Sequence, residues 1–279
     1  MIKYYSVNGK LVPKEEASLL VGDLSILRGY GMFDFFLVKK GRPLFFDDYL
    51  DRFFRSAGML RLEVPYDRET LRAQIMEVIR ANGQPSAGLK LVLTGGYSPD
   101  GYSPAKPNLV IVQSPLPTYS PAQYEQGVKL LLHEYHRTLS AAKTINYIMG
   151  IYLLPEVQAA GAEDVLFHFD GKVYETTRAN FFIVKKDGTV VTPGAGVLHG
   201  ITRKKTLEIA RRHYLTEERE LAMEELQTAS EAFITSSTKL IMPVVQVDGT
   251  TIGNGRPGPV TKDLMKRMEE AVDAYLEQG

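Results

Sequence analysis

DVLFHFDGKVYETTRANFFIVKKDGTVVTP, residues 164–193, spells out strands joined by tight turns. β-branched and aromatic residues gather in short runs. The runs break at Asp170-Gly171 and Asp187-Gly188, dipeptides suited to the positive φ of hairpin turns. A meander of this kind argues against a doubly wound parallel sheet, whose strands would alternate with helices. The same punctuation recurs toward the N-terminus. YYSVNGKLV predicts a hairpin turning at Asn8-Gly9, and FDFFLVKKGRPLFF a second turning near Lys40-Gly41. DDYLDRFFRSAGML and DRETLRAQIMEVIRANG read as helices, the second with Leu71, Ile75, Val78 and Ile79 on one face and Gly83 as its stop. LKLVLTGG, NLVIVQSP and VKLLLHEY read as strands. Beyond the meander come a helix in TRKKTLEIARRHY, a strand in EAFITSS and an amphipathic helix over 261–278 with Leu264, Met268, Val272 and Tyr275 inward. The prolines of SPLPTYSPAQ resist both helix and central strand. The expectation is therefore an α+β chain in two parts: a small domain over 1–114, a linker over 115–123 and a larger domain over 124–279.

Composition narrows the function. Of 279 residues, 44% are hydrophobic and 24% charged, values of a soluble globular protein. Lysine and arginine balance aspartate and glutamate at 33 each, so no basic field marks a nucleic-acid partner. Without cysteine there is no disulfide and no thiolate chemistry, which fits a reducing cytoplasm. No window is long and apolar enough for a signal peptide or membrane span, and the five histidines form no metal-binding pair, so no metal is expected.

Four local patterns carry chemistry. LSAAKTINYIMG sets a lone cation, Lys143, among small and apolar residues. Either its stem lies along apolar surface with the ammonium in water, or it is a partly desolvated nucleophile or Schiff-base amine. Gly200-Ile201-Thr202 opens a helix, where backbone N–H groups and a threonine hydroxyl suit a phosphate; a simple helix cap reads the same way. TSSTK, residues 235–239, offers a second cup of hydroxyls and amides, or an ordinary polar turn. Glu175 ends an apolar strand, as a solvated carboxylate or as one that keeps a heteroaromatic nitrogen protonated.

Taken in order, these stretches resemble the fold-type IV pyridoxal-phosphate enzymes, a group that includes branched-chain aminotransferases, D-amino-acid transaminases and aminodeoxychorismate lyases. RGYGMFDFF is similar to the group's YGDGVFE segment, YLDRFFRSA to HxxRLxxSA, AAKTINY to the lysine motif, ETTRANFF to ExxxxNxF, LHGITR to LxGITR, and FITSSTKLIMPV to the closing loop. The resemblance implies a two-domain fold with a small N-terminal α/β domain and a larger, barrel-like C-terminal one. It implies pyridoxal 5'-phosphate as cofactor, amino acids and 2-oxo acids as substrates, and a homodimer. By matched position, Lys143 is the Schiff-base and proton-transfer residue and Glu175 the partner of the pyridine nitrogen. Arg52, Gly200, Ile201, Thr202, Ser236 and Ser237 hold the phosphate side, with Asn180 also binding the cofactor and Tyr147 near the phenolic oxygen.

Departures bear on the substrate. Asn146 follows Lys143 at the third position, as in D-amino-acid transaminases and the lyases, whereas branched-chain enzymes insert a glycine. The Arg-x-His carboxylate trap of the D-enzymes is missing; Gly95-Gly96-Tyr97-Ser98 stands in its region. Phe33 replaces a tyrosine, Asp34 shortens the usual glutamate and Tyr49 replaces a histidine. Arg28 and Arg178 stand where the group carries apolar or small residues and are candidates for the substrate carboxylate, with Lys90 behind them. Thr238 and Lys239 complete the substrate set. The reading is a transaminase of D-amino acids such as D-alanine and D-glutamate with 2-oxoglutarate. An L-branched-chain aminotransferase is the alternative, an aminodeoxychorismate lyase is third, and a non-catalytic binder of a phosphate ligand is the reading from a different class.

Overall fold

Asn8 and Gly9, at φ 51° and 78°, turn strand β1 (Tyr4–Val7) into β2 (Lys10–Pro13) with the two positive angles a type I′ hairpin requires. In this computed structural model, which describes residues 1–278, two compact units emerge. One holds residues 1–117, 142–146 and the chain from Tyr275; the other holds 118–141 and 147–274.

In the first unit, β1 and β2 join β3 (Gly31–Lys39), β4 (Arg42–Pro43), β5 (Ser86–Thr94) and β6 (Leu109–Ser114) in a sheet of order β2-β1-β6-β5-β3-β4. Lys40 and Gly41 turn the β3–β4 hairpin. Strand alternation buries Met32, Asp34 and Phe36 on one face of β3 and leaves Phe33 and Phe35 half-buried on the other. Three helices complete the unit: α1 (Leu24–Arg28), α2 (Phe46–Met59) and α3 (Arg68–Asn82). α2 packs on β3, and α3 on β1 and β6. α3 starts on the Asp67 side chain, stops at left-handed Gly83, and buries the expected Leu71, Ile75, Val78 and Ile79.

The second unit runs α4 (Pro121–Gln126), β7 (Val128–Glu134), α5 (Ile148–Tyr152), α6 (Leu154–Ala159), β8 (Asp164–Phe169), β9 (Lys172–Thr176), β10 (Asn180–Val184) and β11 (Val190–Pro193). It continues through α7 (Ile201–Ala210), β12 (Thr216–Arg219), β13 (Leu221–Ala222), α8 (Glu225–Thr228), β14 (Glu231–Ser236), β15 (Leu240–Val247), β16 (Thr250–Thr251) and α9 (Pro259–Glu277). Six strands form a ring: β10-β14-β15-β7-β8-β9, closed by the pairing of Asn180 with Glu175. The ring is filled by Val128, Leu130, Leu166, Phe181, Ile183, Ile234, Met242 and Val244. Outside it, Phe182, Phe233 and Ile241 pack with Leu207 of α7 and Leu264 and Met268 of α9. This is the barrel-like half of an α+β fold.

One feature departs from the expectations. The helix α4 begins at Pro121, inside the segment read as linker, although the change of unit after Pro117 does fall within that segment. β8, β9, β10 and β11 pair antiparallel in sequence order, the meander expected over 164–193, while β7 runs parallel to β8 with α5 and α6 between them in sequence. β15 is an interior strand despite Pro243. The proline lies one residue before the parallel register with β7 begins at Val244↔Val128, where no ladder bond to β7 is needed. Of the four residues read as the inner face of the last helix, Leu264, Met268 and Val272 are buried. Tyr275 is half-buried, its hydroxyl accepting from Phe46 N at 3.0 Å. Among the described residues no helix is long and apolar enough to cross a membrane.

Candidate active site

The sequence candidates fall into two groups. In the first unit, Lys143 lies on a short segment docked against β3. Phe33 N donates to Lys143 O at 2.9 Å, Lys143 N to Ser56 Oγ at 3.4 Å and Ile145 N to Gly31 O at 3.2 Å. These backbone bonds leave the side chain free of any part in holding the segment. The Lys143 ammonium sits 4.7 Å from the centroid of Phe33, and the exposed Lys90 is 5.6 Å from the same ring. Arg52, on α2, is almost fully buried and meets Asp34 in a fork, with Nε 2.9 Å from Oδ2 and Nη2 2.5 Å from Oδ1. Two of its five donors are thereby committed and its plane is fixed. Arg28 ends α1 and is exposed; its Nη1 donates to Leu27 O at 2.9 Å. α1 itself is anchored by buried Asp23, which accepts from Ser25 N, Thr94 Oγ1 and Asn108 Nδ2. Burial alone would raise the Asp23 carboxyl, yet these bonds hold it below the ordinary aspartate range.

In the second unit the barrel's closure sets the chemistry. Glu175 and Asn180 are cross-strand neighbours there, and both are buried. Glu175 Oε2 accepts from Leu198 N at 3.0 Å and from Asn180 Nδ2 at 3.2 Å, while the same Nδ2 reaches Leu198 O at 2.7 Å. The threonines between them are structural: Asp164 accepts from Thr176 Oγ1 at 2.9 Å and from Thr177 Oγ1, pinning the turn that carries Glu175. Arg178 at this turn is exposed.

Arg137 was not singled out in the sequence. Its Nε lies 3.6 Å from Glu175 Oε1, its Nη2 donates to Thr177 O at 3.0 Å, and its guanidinium sits 5.4 Å from the Tyr147 ring centroid. Burial works against its charge, but the Glu175 carboxylate and the Tyr147 phenol more than offset this and hold its pKa above the ordinary value. The signal was present only as one arginine six residues before Lys143 in EYHRTLSAAK, with no pattern to single it out.

The start of α7 is a candidate anion site. Gly200 is its N-cap, and no side chain caps the amides that follow. Those first-turn N–H groups and the helix dipole favour an anion. Only glycine fits at 200, because a Cβ there would stand 2.2 Å from Asn180 Oδ1. Thr235 lies on the same face of β14 as Phe233, the face α7 covers, and its Oγ1 is buried with no hydrogen-bond partner. Ile201 and Thr202 are buried in the first turn. Arg203 beside them is buried too. Burial lowers its pKa, and the ion pair with Glu218 at 2.8 Å only partly offsets that.

Ser236, Ser237, Thr238 and Lys239 form the β14–β15 hairpin. Lys239 is not exposed toward a ligand. Its side chain is 2% accessible and its ammonium lies 3.1 Å from Glu163 Oε1. Among the described residues no cluster of acids and histidines is placed to hold a metal. A buried, pinned carboxylate and an uncapped helix start with an orphaned hydroxyl fit a protonated heteroaromatic ring carrying a phosphate.

The chain matches the model of the amino-transferase class IV family over residues 31–247. It is 28% identical over 275 residues to a D-alanine aminotransferase of Bacillus licheniformis, covering 95% of both chains. It is similar at TM-score 0.91 and 26% identity to a T.th. branched-chain amino acid aminotransferase solved with pyridoxamine 5'-phosphate, covering 99% of this chain and 95% of that one. The 4-amino-4-deoxychorismate lyase of Pseudomonas aeruginosa matches at TM-score 0.85 and 26% identity, over 96% and 99%. The buried Glu175 and the candidate anion site at α7 therefore belong to an enzyme framework: the chain is a member of the class IV amino-transferase family.

Proposed function

We propose that the protein transfers the amino group of D-amino acids, D-alanine and D-glutamate foremost, to a 2-oxo acid such as 2-oxoglutarate. Class IV aminotransferases use pyridoxal 5'-phosphate, and the solved relative with pyridoxamine 5'-phosphate agrees with the fit of the residues here. The observation that carries the transaminase reading is the buried Glu175 with Arg137 at its side, an arrangement that phosphate binding alone does not need. When bound, the cofactor supplies an electron sink for the pair released at the substrate Cα. Glu175 keeps a proton at the pyridine nitrogen. Lys143 Nζ takes the proton from Cα and delivers it at C4′, acting first as base and then as acid. The first-turn amides of Ile201 and Thr202, Thr235 Oγ1, Ser236, Ser237 and Arg52 hold the phosphate. Tyr147, with its ring against Arg137, serves the phenolic oxygen.

For the substrate, Arg28 and Arg178 are exposed guanidinium groups with no ion pair among the described residues, suited to a carboxylate. Asn146 and the D-alanine aminotransferase relative favour D-amino acids. The apolar Phe33 and Phe35, with Tyr147, favour an L-branched-chain substrate as the second reading. Half-reactions decide between them: cofactor-loaded protein receives D-alanine, D-glutamate, L-leucine or L-glutamate, and the absorbance change is followed. The D-isomers should react at least about a hundredfold faster, and Arg178→Gln should raise their KM roughly tenfold. Reaction with the L-isomers alone would return the protein to the branched-chain group. Silence with all four would favour the lyase.

The working unit is proposed to be a homodimer. Ile148, Ile151 and Tyr152 of α5 are about 70% exposed, an apolar surface that a second copy would cover. Sedimentation at micromolar concentration should give twice the chain mass of 31.2 kDa; a monomer there overturns this part.

A further inference from the structure

The hairpin joining β14 to β15 is strained and yet tightly held. Leu240, which closes it opposite Ser236, sits at φ 54°, a left-handed conformation that a leucine adopts at a cost. Such a residue persists where its surroundings over-determine it. Here the surroundings come from the segment that opens the second unit and from Glu163, directly before β8. The Lys239 ammonium, buried at 3.1 Å from Glu163 Oε1, also lies 5.0 Å from the ring centroid of Tyr119. Glu163 Oε2 accepts from Gln123 Nε2 at 2.9 Å. Gln123 is at the same time the capping-box residue of α4, its Oε1 accepting from Ser120 N at 3.0 Å. Tyr124 OH donates to Lys239 O at 3.2 Å, and Tyr119 OH shares a hydrogen bond with Thr238 Oγ1 at 3.0 Å. Lys239 N closes the loop on Ser236 Oγ at 3.3 Å.

We propose that Tyr119, Gln123, Glu163 and Lys239 form a latch that fixes the Ser236–Thr238 rim, making Lys239 and Tyr119 positioning residues and not substrate ligands. This rests on the reading that the rim faces the cofactor phosphate and the substrate. The logic is geometric. An ammonium buried on a carboxylate and a ring has no reach left for a ligand, but it removes the hairpin's freedom to relax away from the φ that Leu240 holds. The backbone amides and hydroxyls of the rim are then aimed before anything binds, and less ordering is needed on binding. The Tyr119 hydroxyl bond further favours one rotamer of Thr238.

Lys239→Met keeps the stem and removes the charge; Tyr119→Phe removes only the hydroxyl bond to Thr238. Amide hydrogen exchange over 236–240 in the cofactor-free protein is read first. Lys239→Met should speed it by about tenfold or more, and Tyr119→Phe by less, with both proteins folded by circular dichroism. Pyridoxal 5'-phosphate affinity, read by absorbance titration, should fall about tenfold to a hundredfold in Lys239→Met. Tyr119→Phe should raise KM for the amino donor while kcat changes little. Unchanged exchange over 236–240 in a folded Lys239→Met protein overturns the latch, as does unchanged cofactor affinity despite faster exchange. If Lys239→Met does not fold, Tyr119→Phe decides alone: unchanged exchange and an unchanged KM for the amino donor overturn the latch. Wild-type protein that binds no cofactor would sink the transaminase reading, while the exchange result still judges whether the hairpin is latched.

Discussion

Lys143→Ala should lose transaminase turnover by roughly a thousandfold or more and remain folded, because a positioned general base contributes about 10²–10⁴ and this residue serves twice. The separation of activity from stability follows from how the segment is held. Its anchors are backbone groups: Lys143 O to Phe33 N, Lys143 N to Ser56 Oγ, Ile145 N to Gly31 O, and the pairing of Thr144 with Met32. Removing the side chain forfeits only the ammonium's contact with Phe33 at 4.7 Å, worth about 0.5–1 kcal/mol at an accessible site. Lys143→Arg is the sharper control. It keeps the positive charge and much of the ring contact, but an arginine is not deprotonated in a protein and cannot take a proton from Cα. Both variants should therefore be equally dead in steady-state assay, and both should melt close to wild type. An arginine variant retaining a tenth of wild-type turnover would mean that charge, not proton transfer, is what the position supplies.

How much of this was legible beforehand divides along the range of the interactions. The Asn8-Gly9 and Lys40-Gly41 turns, the Gly83 stop and the buried face of α3 are decided within a few residues by φ preference and periodicity, so they were readable. The barrel closure is not of that kind. It depends on Asn180 meeting Glu175 and on β15 running parallel to β7, and the β15–β7 register joins residues more than a hundred positions apart with no local signature. Pro243 sits in β15 one residue before the register with β7 begins, which is why the strand tolerates it. The chemistry-bearing motifs were read together because the group's resemblance ordered them. Arg137 and the latch at Lys239 were not, because their importance lies in burial and pairing. Arg137 is one of many arginines in the chain until Glu175 and Tyr147 surround it. Lys239 entered the substrate set as the end of the TSSTK cluster, and Glu163, 76 positions away, holds its ammonium buried.

Glu175→Gln should cost both rate and stability, and the two losses should come apart in a double variant. Glutamine keeps the shape and an oxygen that can still accept from Leu198 N, now bonded at 3.0 Å. It lacks the charge that holds a proton on the pyridine nitrogen, so turnover should fall by about 10²–10⁴, the range for losing a positioned proton-transfer group. It also strips the counter-charge from Arg137, whose side chain is only 12% exposed. Breaking one partner out of a buried pair costs about 3–5 kcal/mol. The lower end applies here, since Thr177 O still accepts from the guanidinium and the Nε–Oε1 separation is 3.6 Å, looser than a direct bond. Arg137→Met in the same chain removes the stranded charge and fills the space with apolar atoms, a change that is often neutral for a buried pair. Glu175→Gln/Arg137→Met should thus recover most of the lost stability in urea unfolding and none of the lost turnover. Recovery of both would reduce Glu175 to a scaffold for Arg137. Recovery of neither would mean that Asn180 and Leu198, not Arg137, are the partners whose geometry the carboxylate maintains.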